Sequence, residues 1–218
     1  MVVLHVYAAA ANAKDVGVSA DEFFQAIDQG NVSTVESYIL SDKDIRVRSK
    51  QGYSALAFLF RNHPYKSSKA SQERIAELLI DAGASVNETV PIEVNPSNVP
   101  IFVWAVHTDS ETIVNLFIQR GVDKKARVEG LFTAVSRDRI NICRRILVSG
   151  IDINSRDEFG QTPLFLVSSI SMAKYLISNG ADVNAKNSDG ESVLGWLSRP
   201  INETDKRIVS YLVSKGAK

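Results

Sequence analysis

Residues 157–186 read DEFGQTPLFLVSSISMAKYLISNGADVNAK, and the next stretch begins NSDGESVLGWL at Asn187. A D-x-x-G turn (Asp157–Gly160) leads into Thr162-Pro163-Leu164, a helix start. An aliphatic second helix follows, then Gly180-Ala181-Asp182-Val183-Asn184. The closing motif recurs as Gly83-Ala84-Ser85-Val86-Asn87, as Gly150-Ile151-Asp152-Ile153-Asn154, and as Gly216-Ala217. With the apolar residue after T-P as a marker, the series runs Phe23, Leu56, Phe102, Leu131, Leu164 and Leu194. The intervals are 33, 46, 29, 33 and 30 residues. About six units of one repeat therefore cover residues 18 to 218.

Each element has a mechanical reason. Pro163 at a first helical position loses no hydrogen bond and has its φ already set. Thr162 before it is placed to accept from the open N–H groups of that turn. Gly83 and Gly180 supply left-handed helix ends. The second helices carry apolar residues at helical spacing: Ile75, Leu78, Leu79; Ile113, Leu116, Phe117; Ile142, Ile146, Leu147; Ile208, Leu212. Such faces cannot be buried within one unit, so the units must stack.

These motifs resemble the ankyrin repeat. The resemblance implies an all-α ankyrin-repeat solenoid of about six helix-turn-helix units with short β-hairpin-like fingers. The units lie near 18–48, 49–90, 91–126, 127–156, 157–186 and 187–218. Four departures are legible. Unit two carries about eight extra residues around His63–Lys69, and the link from Gly83 to Phe102 is about five residues longer than the link from Gly180 to Leu194. The link from Gly121 to Leu131 is about four residues shorter, which predicts a truncated finger. Unit five loses about three residues between its helices.

Residues 1–17 stand apart. The apolar start VVLHVYAAAANAK ends in Ala11-Asn12-Ala13, the small-x-small form that signal peptidases cut, yet no Lys or Arg precedes it. Three readings stay open: a clipped signal peptide, which would place the protein in a bacterial periplasm; a cloning remnant in a cytoplasmic protein; or a helix capping the first unit. Lys+Arg and Asp+Glu both total 25, and that balance argues against a general nucleic-acid binder. Cys143 is the one cysteine, so no intramolecular disulfide can form. No run of apolar residues is long enough to predict a membrane span.

Catalytic and metal signatures are missing from the sequence: no G-x-G-x-x-G, no P-loop, no H-E-x-x-H, no G-x-S-x-G. His5, His63 and His107 lie far apart, without a metal-ligand partner at helical spacing. Cys143 falls on an apolar helix face and reads as a packing thiol. Asp42, Asp44, Asp152 and Asp182 occupy turn positions, where carboxylates accept backbone hydrogen bonds. The expectation is a protein with no enzymatic activity, no cofactor and no metal.

In the ankyrin family partners dock on the concave face, made of finger tips and the inner side of the first helices. Two positions after each marker stand Gln25, Phe58, Trp104, Thr133, Leu166 and Trp196. Five positions after it stand Asp28, Arg61, His107, Ser136, Ser169 and Arg199. Packing between repeats accounts for apolar residues in this register, whereas finger-tip aromatics, Tyr53 and Phe159, are harder to explain that way. The resulting partner-binding candidates are Tyr53, Phe159, Trp104 and Trp196, with Arg61, His107, Arg137 and Arg199 around them. Charge is uneven: residues 15–44 hold seven acidic and one basic residue, and residues 122–145 hold seven basic and three acidic. The acidic segment reads as the soluble outer face of the first unit, and the basic one (Lys124, Lys125, Arg127, Arg137, Arg139, Arg144, Arg145) as a solvated face or a surface for an acidic partner.

The resemblance implies a protein–protein interaction module, monomeric or part of a hetero-complex, that binds and regulates or neutralises a partner. Some bacterial members of the family are immunity proteins or inhibitors of a cognate toxin or secreted enzyme. An effector or cytosolic adaptor is the alternative within the same class. An enzyme with an unrecognised site is the alternative outside it.

Overall fold

The computed structural model describes residues 17–61, 67–92, 95–199 and 203–218. The N-terminal extension, apart from Gly17, lies outside them, as do residues 62–66 of the long insertion. The chain forms two compact units, Met1–Ala84 and Ser85–Lys218.

In the first unit, α1 (Ala20–Gln29) starts from a capping box. The Ser19 hydroxyl accepts from the Glu22 N–H, and the Glu22 carboxylate accepts from the Ser19 N–H at 2.7 Å. Its apolar face holds Phe23, Phe24, Ala26 and Ile27, and packs on α2 (Val32–Leu40), where the Tyr38 ring stacks on Phe23 at 4.0 Å. Every residue from Ala55 to Phe60 in the short helix α3 (Ala55–Arg61) is buried. The helix α4 (Lys69–Asp81) begins at Ser68, whose hydroxyl accepts from the Ser71 N–H, and packs against α2 and α3.

The second unit opens with β1 (Thr89–Ile92) and β2 (Asn95–Pro100). They pair antiparallel, Thr89 opposite Pro100 and Val90 opposite Val99, with a register shift before Ile92 meets Asn95. The extra residues of this link thus build a two-stranded finger. Helices α5 (Ile101–His107) and α6 (Glu111–Gln119) follow. Next comes α7 (Lys124–Ser136), and here the expectation of a truncated finger is corrected. Residues beyond Asp123 go straight into helix, which reaches 13 residues. Three residues past Gly121 the chain is already helical, which leaves no room for a hairpin.

Gly130 sits in the middle of α7, where alanine would ordinarily favour the helix by about 1 kcal/mol. It is held there by a close approach: a Cβ would come within 2.6 Å of the buried Phe102 ring. Helix α8 (Ile140–Val148) completes this pair.

The fifth pair differs from its prediction. Pro163–Leu166 forms a four-residue 3₁₀ turn, and Val167 is already extended, before α9 (Ile170–Ser178) begins. With three residues fewer between Leu164 and α9, a full α-helical turn cannot be closed; the tighter 3₁₀ form covers the distance instead. Thr162 does not cap this turn. Its hydroxyl is buried and has no hydrogen-bond partner. The last pair is α10 (Val193–Leu197) and α11 (Glu203–Ser214).

The register read from the sequence matches the cores. Phe23, Leu56, Phe102, Leu131 and Leu164 are all fully buried, as are Ile75, Leu79, Ile113, Phe117, Ile142, Ile146, Ile208 and Leu212. Leu194 is only half-buried in the last pair. Leu78, Leu116 and Leu147 are likewise half-buried, at the edge of their helix faces. Gly83 and Gly180 adopt φ of 99° and 96°, a conformation costly for residues with a Cβ.

Candidate protein interface

Successive pairs in the second unit are joined by one recurring side chain. Asn87 donates through Nδ2 to the Gly121 carbonyl at 3.2 Å and accepts from the Asp123 N–H at 2.8 Å. Asn154 makes the same two bonds to Gly180 and Asp182, and Asn184 makes them to Gly216 and Lys218. The series is broken after Gly121, where Lys125 replaces the asparagine. There Arg127 reaches the Ser149 carbonyl instead, at 2.7 Å.

The fingers share one closure. In 157–161 the Asp157 N–H donates to the Gln161 carbonyl, while Asp157 Oδ1 accepts from the N–H groups of Phe159 and Gln161, both at 2.9 Å. Asn187 repeats this in the next finger. The two fingers are tied together: the Ser188 N–H donates to the Phe159 carbonyl at 2.9 Å, and the Arg156 guanidinium bonds the carbonyls of Gly160 and Lys186. Phe159 is therefore fixed in backbone position, while its side chain is 63% exposed.

Tyr53 differs from the expectation of an exposed tip. Its ring is half-buried beside the Arg61 guanidinium, 5.6 Å away. Arg61 also lies 3.8 Å over the buried Phe58 ring. The same spacing recurs in the second unit. Trp104 neighbours His107 with ring centroids 6.3 Å apart, and Arg199 stands 4.8 Å over Trp196 and bonds Glu191 at 2.6 Å. Both tryptophans are half-buried, and Trp104 Nε1 is buried without a partner. Residues two and five after a marker are three apart, hence neighbours on a helix. Read along the sequence as separate sets, they do not reveal that each aromatic lies beside its own basic or imidazole neighbour. Arg137 is exposed at the end of α7.

Residues 131–218 match a family model described as ankyrin repeats in three copies. Those residues are ankyrin repeats, and the fold of the chain is the ankyrin-repeat fold. Over 149 residues its repeats are 31% identical to alpha-latrocrustotoxin-Lt1a of Latrodectus tredecimguttatus, covering 65% of this chain and 10% of that protein. The chain thus spans about a tenth of the length of the curated relatives it matches first. The human ASB11 ankyrin repeat domain superposes with a TM-score of 0.70 at 18% identity, over 90% of this chain and 84% of that one. A further likeness, at TM-score 0.67 and 18% identity, covers 88% of this chain and 98% of the other. That other chain comes from a complex of a Bdellovibrio bacteriovorus predatory endopeptidase with an immunity protein. Ankyrin repeats are protein-interaction scaffolds, and that coarse function applies to this chain.

The uneven charge of these ankyrin repeats is partly offset by pairs between neighbours. In the first unit Lys50 pairs with Asp21 and Arg74 with Glu36, while Asp44 pairs with Arg46. In the second, Arg139 pairs with Asp109 and Arg145 with Glu111, both below 3 Å. Each pair is substantially exposed and is worth under about 1 kcal/mol. Three of the four turn carboxylates, Asp44, Asp152 and Asp182, each accept an N–H two residues ahead, and Asp42 turns the chain at a φ of 57°.

Burial alone pushes the Cys143 thiol up to about 12, so it is protonated and inert at neutral pH. Glu129 is raised chiefly by burial, partly offset by Lys125. Among the described residues no cluster of His, Cys, Asp or Glu could hold a metal ion, and no helix is long and apolar enough to cross a membrane.

Proposed function

We propose that this chain acts stoichiometrically, binding a partner protein and holding or blocking it. Phe159 is the principal anchor in the second unit, where Trp104 and Trp196 assist with His107, Arg137 and Arg199 around them; in the first unit, taken by itself, the candidates are Tyr53 and Arg61. The observation that carries the reading is the Phe159 finger. An exposed phenylalanine gains nothing in water, yet its backbone is locked by Asp157, Ser188 and Arg156. A rigid aromatic loses little freedom when a partner covers it, the property that makes such residues hot spots.

Within this reading the favoured partner is a toxin or secreted enzyme that the chain neutralises. The fold likeness to a chain of an endopeptidase–immunity protein complex supports that choice.

The test places a photo-crosslinking phenylalanine analogue at position 159 in the native host and identifies the captured protein. Titration of the purified pair with Phe159→Ala should then lose about thirtyfold in affinity, equivalent to about 2 kcal/mol. Inhibition of that protein's activity by the wild-type chain tests the neutralising role. Unchanged affinity in Phe159→Ala, with circular dichroism showing a folded protein, would sink the proposal.

A further inference from the structure

Asn179 is the one asparagine in the sequence that is followed by glycine. At the same place before their closing glycines, the other second helices have Ala82, Arg120, Ser149 and Lys215. Asparagine brings a chemistry that none of these has. Its side-chain amide is an electrophile within reach of the next residue's nitrogen, and a glycine there adds no side chain to hinder the attack. Both residues are exposed at the end of α9.

The fold holds this attack off. The Gly180 N–H donates to the Ile177 carbonyl at 3.2 Å, and Asn179 Nδ2 donates to the Tyr175 carbonyl at 2.7 Å. From the preceding repeat, Asn154 Nδ2 grips the Gly180 carbonyl at 3.1 Å, and Asn154 Oδ1 accepts from the Asp182 N–H. The Gly180 nitrogen must turn toward Asn179 Cγ to react. The last turn of α9 must therefore open, and the Asn154 bonds must release. Opening a helix end costs far less than unfolding the whole chain.

We propose that Asn179–Gly180 is a site of spontaneous deamidation, gated by the Asn154 clamp, whose isoaspartate product no longer fits that clamp. The Gly180 nitrogen bonds to Asn179 Cγ and loses its proton, while the side-chain nitrogen leaves as ammonia. Water then opens the succinimide at either carbonyl. Attack at Cγ gives aspartate; attack at the original main-chain carbonyl gives isoaspartate, with the chain routed through Cβ and Cγ. Both products place a carboxylate at the C-terminal end of α9, against the helix dipole. Isoaspartate also adds one carbon to the main chain, about 1.5 Å, just before the carbonyl that Asn154 holds. A hydrogen bond of 3.1 Å does not survive such a displacement. The site is a one-way latch on the joint that Asn154 makes between successive repeats.

The test incubates the full chain at mildly alkaline pH and follows the tryptic peptide Tyr175–Lys186 by mass spectrometry, with fragmentation to tell Asn179 from Asn184. The native chain should gain about one dalton at Asn179, at least roughly tenfold more slowly than a synthetic peptide of residues 175–186. Asn154→Ala should speed the conversion about fivefold or more. Asn184→Ala, which removes the clamp at the next joint, should not. Hydrogen exchange at the Asp182 amide should be faster in aged than in fresh protein. Asn179→Ser, which installs the residue that precedes Gly150, should abolish both the mass gain and the change in exchange. No conversion in the native chain, the same rate with and without Asn154, equal acceleration by Asn184→Ala, or unchanged Asp182 exchange after ageing would each overturn the proposal.

Discussion

Asn154 fastens one repeat to the next by holding the backbone on both sides of the Gly180 turn: Nδ2 donates to the Gly180 carbonyl and Oδ1 accepts from the Asp182 N–H at 2.9 Å. A side chain that both donates and accepts is required; aspartate only accepts, lysine only donates, and serine is too short to span both groups. Asn154→Ala should cost about 1–2 kcal/mol, the low end for two exposed hydrogen bonds. Urea unfolding monitored by circular dichroism measures it. A change within the error of the titration would mean that water replaces the clamp without loss.

Gly130→Ala sets two effects against each other. Helix propensity gains about 1 kcal/mol, whereas the new Cβ would lie 2.6 Å from a buried Phe102 ring that cannot swing aside. Overpacking of this kind costs about 1–3 kcal/mol, so the net change should be destabilising. A variant with a higher melting temperature than wild type would show that Phe102 has room to move.

Leu164 is fully buried although its helix is only a 3₁₀ turn. Leu164→Ala should therefore cost about 2–5 kcal/mol. A loss below about 1 kcal/mol in denaturant titration would mean that this turn contributes little to the core.

Thr162→Val should behave in the opposite sense. The Thr162 hydroxyl is buried with no partner, and valine has nearly the same shape without a polar group. The substitution should be neutral or stabilising by up to about 1 kcal/mol. Clear destabilisation would reveal a hydrogen bond to an ordered water.

Cys143 predicts a pH effect with a definite sign. Its folded thiol titrates near 12 against an ordinary value of 9.0, so the folded state holds the proton more tightly than the unfolded one. Its contribution to stability is fully present below pH 9 and is lost as pH rises from there toward 12. Cys143→Ala should flatten the alkaline limb of stability against pH over that range. The native thiol should also react with an aromatic disulfide far more slowly than the urea-unfolded one. Immediate modification of the native protein would contradict its burial.

The repeat, its period and most of its core were legible because they rest on local rules. Glycine at positive φ, proline at a first helical position and apolar spacing near 3.6 are properties of short segments. They placed Gly83, Gly180, Leu56, Phe102 and Leu131 correctly before any contact was known. Cys143 was readable for the same reason, since its helix face is apolar on its own.

What only the tertiary structure decided are the relations between segments far apart in the chain. No local rule places Phe102 over Gly130, turns the Gly121 link into helix, or sends Asn154 to a turn 26 residues away. Part of each charged segment is paired with residues outside it, Lys50 and Arg74 for one, Asp109 and Glu111 for the other, which a charge count along the chain does not register. Phe159 and Tyr53 read alike as finger-tip aromatics. One stays exposed and the other is half-covered by Arg61. Exposure depends on which side chain from a neighbouring element arrives at that spot, and a linear pattern carries no term for that distance.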